Sequence, residues 1–233
     1  MGSGHTFHTF DQELAELRRT IERMGRLAES QFADAMRAIT GDDADLAAAV
    51  IARDAEIDRL ESQVESMAVR LLALRQPMAG DLREIVAAFR ISSDIERMGD
   101  FARAIAKRAV TLGALPVRPP AVPSLAWMGD SVLDMIRDMV SAHATRDADL
   151  ATAVRNRDGE VDQAYTALFR ELLTYMMESP QQITGCTHLL FAAKAIERVG
   201  DHATNVAENV CFLVKGKLPS DERPKDDHSS EVT

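Results

Sequence analysis

Glu96-Arg97-Met98-Gly99-Asp100 returns as Glu197-Arg198-Val199-Gly200-Asp201, an offset of 197 − 96 = 101, and the fold follows from how this pair is read. Each copy lies inside a long run of helix-favouring residues. Positions four apart share one helix face, so Glu96 stacks with Asp100 and Glu197 with Asp201. A glycine in mid-helix costs about 1 kcal/mol against alanine. Its presence just before the second acid of both copies points to a close approach of backbone, ligand or neighbouring helix.

Outward from the pentapeptides the duplication continues. Asp43 to Val50 reads DADLAAAV and Asp147 to Val154 reads DADLATAV. Arg53-Asp54-Ala55-Glu56-Ile57-Asp58 matches Arg157-Asp158-Gly159-Glu160-Val161-Asp162, an offset of 157 − 53 = 104. The helix-breaking prolines correspond at 180 − 77 = 103. The offset drifts only across the loop and the start of the third helix, so the register within each block survives.

Helical periodicity fills in the rest. Leu14, Leu17, Ile21, Met24, Ala28, Phe32, Ala35, Met36 and Ile39 define a first amphipathic helix, ended by Gly41. Asp42 or Asp43 caps a second, whose Leu46, Val50, Ile57, Leu60, Val64, Met67, Leu71 and Leu74 form a near-heptad seam. Gln76-Pro77 stops it, and a third helix runs from about Asp81 to about Val110. Residues 113–124 hold four prolines, Pro116, Pro119, Pro120 and Pro123, and read as a stiff linker. Three more helices then repeat the scheme, and Gly216 closes the last.

The chain is therefore expected to be all-α, a tandem duplication of an up-down three-helix bundle with six long helices. The expected boundaries are a flexible N-terminus 1–9, a first bundle 10–112, the linker 113–124, a second bundle 125–215 and a disordered tail 216–233. Each half carries a complete seam, so the two bundles are expected to fold largely on their own.

Composition narrows the function. The chain is 46% hydrophobic and only 5% aromatic, which is helical composition. A formal charge of −10 and a pI near 5.1 argue against nucleic acid or an anionic membrane surface as the main partner. Cys186 and Cys211 are too few for a disulfide framework or a zinc site and read as core thiols. No window approaches ~18 consecutive apolar residues, and no secretion signal opens the chain. A cytoplasmic protein without a transmembrane segment is expected.

The chemistry lies in the acids. The inward stripe of the third helix reads Leu82, Ile85, Phe89, Ser92, Glu96, Asp100, turning acidic partway. In the sixth helix Glu197 and Asp201 are followed by Asn205 and Glu208. Asp54 with Asp58, and Asp158 with Asp162, form matching pairs on the second helix of each half. Asp58 precedes Pro77 by 77 − 58 = 19 residues and Glu96 follows it by 96 − 77 = 19, so the two pairs meet at similar height. A lone i,i+4 acid pair is ordinarily a solvated face, with a repulsion of ~0.2–0.5 kcal/mol. Four carboxylates converging between helices differ: at ~6 Å and an effective dielectric of ~20, each pair repels by about 3 kcal/mol. That requires a counter-charge, from Arg97, Arg198, Arg53 or Arg157, or from a bound cation. All-oxygen ligands suit Mg²⁺, Ca²⁺, Mn²⁺ or iron. His202 could ligate or cap the second site. No nucleophile elbow, phosphate loop or Ser/His/Asp arrangement occurs.

On these residues the chain resembles the PhoU family, the phosphate-transport accessory and regulatory proteins of bacteria. The resemblance covers roughly residues 10–215. It rests on the paired Glu-Arg-x-Gly-Asp segments, on Arg75-Gln76-Pro77-Met78-Ala79-Gly80-Asp81-Leu82, and on the stretch GDHATNVAE from Gly200 to Glu208. It implies two bundles related by a pseudo-twofold, with multinuclear metal clusters at the acidic motifs. The ligands carry over to Asp54, Asp58, Glu96 and Asp100, and to Asp158, Asp162, Glu197 and Asp201. The expected ions are divalent or trivalent: Mg, Mn, Fe or Zn. The resemblance further implies a homodimer that is no enzyme and negatively regulates the phosphate-starvation response. Its implied partners are the phosphate ABC transporter and a sensor histidine kinase, through which it associates peripherally with the membrane. The alternatives from the residues alone are a carboxylate-bridged metal enzyme and a purely structural helical scaffold. One departure stands out: Ala104 and Lys107 occupy the positions of Asn205 and Glu208, leaving the first site poorer in oxygen.

Overall fold

The structure is a computed structural model that describes residues 3–75 and 77–219, with side chains from residue 10 onward except at 75. The described residues form seven α-helices and one short 3-10 turn: α1 (Ser3–Gly41), α2 (Ala44–Arg75), α3 (Ala79–Gly113), α4 (Val122–Thr145), α5 (Ala148–Asn156), α6 (Asp158–Glu178), the turn Pro180–Gln182, and α7 (Ile183–Lys215). The fold is all-α, and the six expected helices are present, the fifth in two pieces. Helix α1 starts at Ser3, upstream of the expected residue 10. The expected disordered tail lies, from residue 220 onward, outside the described residues.

Local chemistry explains the boundaries. The Asp43 carboxylate accepts from the Leu46 amide at 2.9 Å, and that of Asp147 from the amides of Asp149 and Leu150, both at 2.9 Å. These are N-caps at matching places in the two halves. Asp42, with φ 61, and Arg146, with φ 54, make the same left-handed exit before each cap, so Asp42 and not Gly41 turns the chain. Gly216 closes α7 with φ 75, as expected. The break between α5 and α6 falls at Arg157, two residues before Gly159; α2, with Ala55 at the matching place, runs unbroken. There the Glu160 amide bonds the Arg157 carbonyl at 3.1 Å, one residue short of α-helical spacing.

Every expected core position of α1 is buried, as are Val50, Ile57, Leu60, Val64 and Leu71 of α2. Leu74 and Leu82 differ: at the α2–α3 tip they lie exposed. One continuous apolar core runs through both halves. The broadest helix–helix interface joins α3 to α7, one helix from each half. The two are antiparallel: Arg90 lies over the ring of Phe212, and Arg108 over that of Phe191. Between these contacts Phe101 stacks on His202, ring centroids 5.7 Å apart. These two residues are repeat equivalents (202 − 101 = 101), so the pseudo-twofold passes between them. Glu84 of α3 adds a further tie, accepting from Arg18 of α1 and, at 2.7 Å, from Arg146 after α4. The halves thus share a core and do not form two separate ones.

The linker is docked. Pro123 sits within the first turn of α4, where its missing N–H is no loss. Arg118 donates to the carbonyls of Ile39 at 3.1 Å and Thr40 at 3.3 Å, capping the end of α1. Among the described residues, no helix is long and apolar enough to cross a membrane.

Candidate functional site

The two acidic faces lie where they were expected, between α2 and α3 and between α6 and α7, but the cations beside them differ. On the first face Asp54 is buried. One of its oxygens accepts from the Gln31 amide at 3.1 Å. The other pairs with Arg103 Nη1 at 2.9 Å. The second guanidinium nitrogen of Arg103 bonds Asp100. One arginine therefore bridges α2 to α3. Arg97 stands 3.6 Å from Glu96 and 3.7 Å from Asp100. Burial, then Asp100, Glu61 and Asp58, push the Glu96 carboxyl up to about 7, against Arg97. Glu61 is raised too, by burial and then by Glu65 and Asp58. Asp54 is raised by burial, opposed by Gln31 and Arg103.

On the second face Asp158, Asp162 and Glu197 are all buried. Asp158 stands at the first position of α6, and its Oδ1 accepts from the Thr204 hydroxyl at 3.1 Å. Glu197 Oε1 accepts from Lys194 Nζ at 2.9 Å. Its Oε2 is buried without a hydrogen-bond partner, an unusual state for a carboxylate 6% exposed. Burial raises the Glu197 carboxyl, Asp201 and Asp162 add to the rise, and Lys194 opposes it. Asp201 lies 3.7 Å from Arg198. Among the described residues, no three Asp, Glu, His or Cys groups are gathered closely enough to ligate an ion with the side chains as they stand. The second face nevertheless fits a hard cation in its chemistry: oxygen donors, burial and an unsatisfied carboxylate oxygen. The first face already holds a guanidinium between its acids.

The glycines are unequal. A Cβ on Gly99 would meet Ile57 Cδ1 of α2 at 2.8 Å, whereas one on Gly200 meets only ordinary contacts at 3.6 Å. The expected close approach exists at the first copy alone.

Several expected assignments change. Asn205 and His202 turn from the acids to Asp94 of α3, at 3.1 and 2.8 Å. Steps of four on a helix of 3.6 residues per turn drift ~40° each, so Asn205, two steps from Glu197, has rotated ~80° toward α3. Glu208 lies farther along and accepts from Arg155 Nε at 3.0 Å. Arg53 and Arg157 pair with Asp34 of α1 and Asp138 of α4, and these pairs are repeat equivalents (138 − 34 = 104). Gln31, Glu61, Arg103 and Thr204 escaped the sequence reading. Glu61 follows Asp58 at helical spacing, and Arg103 aligns with Thr204 (204 − 103 = 101), so both signals were present.

A duplicated three-helix bundle with paired Glu/Asp-x-x-x-Asp faces defines the class of protein. The PhoU domain model matches twice, at residues 21–109 and 125–210. The chain is 48% identical over 227 residues to the phosphate-specific transport system accessory protein PhoU homolog of Caulobacter vibrioides, covering 97% of this chain and 99% of that one. It is 45% identical over 232 residues to the homolog of Rhizobium meliloti, covering 100% of this chain and 98% of that one. The crystal structure of PhoU from Pseudomonas aeruginosa superposes with a TM-score of 0.87 at 39% identity, covering 89% of this chain and all, 100%, of that one. The chain belongs to the PhoU family.

Proposed function

We propose that this chain is an accessory protein of a phosphate transport system and a negative regulator of the phosphate-starvation response. It acts in the cytoplasm as a homodimer, by contact with the phosphate ABC transporter and a sensor histidine kinase. Its role is regulatory and not enzymatic. Full-length similarity to accessory proteins supports the transport role.

The second face is its metal centre, with Asp158, Asp162, Glu197 and Asp201 as the oxygen ligands. The observation that carries this is the buried, unpartnered Glu197 Oε2. A hard divalent or trivalent cation bound there supplies the positive charge that the acids between α6 and α7 call for. Thr204 orients Asp158, and Lys194 holds the other Glu197 oxygen.

The test is metal content and regulation together. Protein loaded with Mn²⁺ and dialysed should lose its ion in the Glu197→Gln, Asp201→Asn variant. An ion at 100 times its dissociation constant stabilises the fold by ~2.7 kcal/mol, which a melting curve resolves. In cells lacking the native protein, the variant should fail to repress a phosphate-starvation promoter in phosphate-replete medium. Unchanged metal content refutes the metal centre, and full repression without metal refutes its regulatory role.

A further inference from the structure

We infer that Arg103 is the permanent cation of the first carboxylate face, and that this face takes no metal ion. The guanidinium lies between the two helices whose acids a bridging ion would join, with Asp54 of α2 at 2.9 Å and Asp100 of α3 on its other nitrogen. The remaining Asp54 oxygen accepts from the Gln31 amide at 3.1 Å. Both groups turned toward Asp54 thus donate to it. The guanidinium has no atom that can ligate a cation, while Gln31 keeps its Oε1 buried without a hydrogen-bond partner. Arginine does not lose its proton in proteins, so the charge cannot be switched off to admit a metal.

Electrostatics then decides against an ion. At ~6 Å and an effective dielectric of ~20, a fixed unit charge weakens a divalent cation's binding on the order of 10⁴-fold. Arg97 stands 3.6 Å from Glu96 and 3.7 Å from Asp100, but Arg198 stands 3.7 Å from Asp201 in the same way, so the difference between the faces lies in Arg103. The second half carries the neutral Thr204 at the place of Arg103 and the apolar Met135 at that of Gln31 (135 − 31 = 104). Thr204, fully buried, gives Asp158 a hydrogen bond without adding a charge. The duplication has therefore diverged. In the first half one guanidinium joins an acid of α2 to an acid of α3, and that helix pair is held together without metal. In the second half Lys194 pairs with Glu197 of its own helix. Occupancy of the first face is independent of the second face's reading.

Metal analysis of the full chain, loaded with Mn²⁺ and dialysed, tests this. Glu96→Gln with Asp100→Asn retains Arg103 and should keep the wild-type manganese content. Arg103→Thr, which copies the second half, should bind more manganese than wild type. That gain should vanish when Glu96→Gln and Asp100→Asn are added. Loss of manganese in the Glu96→Gln, Asp100→Asn variant overturns the inference, as does an Arg103→Thr variant that binds no more than wild type. Should Arg103→Thr fail to fold, the Glu96→Gln, Asp100→Asn comparison decides alone. If wild type holds no manganese, the metal reading of the second face fails. Arg103→Thr then decides: gain of manganese upholds the inference, and no gain overturns it.

Discussion

Replacing Glu96 by glutamine should stabilise the protein at pH 8 and leave its stability unchanged at pH 4.5. Burial and the neighbouring Asp100, Glu61 and Asp58 raise this carboxyl from 4.5 to about 7. The folded state therefore holds the proton more tightly than the unfolded chain. Its contribution is complete below 4.5, and stability falls as the pH rises through about 7. At 1.36 kcal/mol per pH unit, the gap between 4.5 and about 7 corresponds to roughly 3 kcal/mol when Glu96 is fully ionised. The side chain is 17% exposed, so screening trims this; about 2 kcal/mol is a fair expectation. Glutamine keeps the shape and removes the charge. For a chain of this size ~2 kcal/mol raises Tm by about 4–8 °C. The assay is thermal melting followed by circular dichroism at pH 4.5, 6 and 8, with EDTA present to remove divalent cations. A Tm difference that is the same at all three values, or a less stable variant at pH 8, would refute the reasoning.

Gly200→Ala should raise Tm, because alanine is favoured in mid-helix by ~0.8–1 kcal/mol and the new methyl meets only contacts at 3.6 Å. Gly99→Ala should gain less or destabilise, since its methyl would meet the buried Ile57 at 2.8 Å; equal gains from the two would contradict the packing. Fragments 1–115 and 121–233, made separately, should not melt cooperatively near the intact Tm, since each would expose its side of the α3–α7 interface. Two sharp transitions close to that of the full chain would show that each half carries its own core.

Much of the molecule was legible in one dimension. Helix spans, caps and duplication rest on periodicity and on residue types within a turn or two of each other, and these interactions are local. The acid pairs were legible for the same reason, because positions four apart share a face whatever the helix packs against. Even the break before α6 has a local cause in Gly159, opposite Ala55 of the unbroken α2.

What only the tertiary structure decided was which charges meet. Arg53 and Arg157 stand beside the acids in sequence, yet they reach across to Asp34 and Asp138. Arg103, three residues past Asp100, is the one that bridges to Asp54. The rotation that carries Asn205 and His202 onto Asp94 depends on how α7 settles against α3. So does the shared core that joins halves expected to stand alone. A local pattern sets the face on which a residue sits. The partner of a long, flexible arginine is set by the rotation, crossing and height of two packed helices, which depend on the side chains of both.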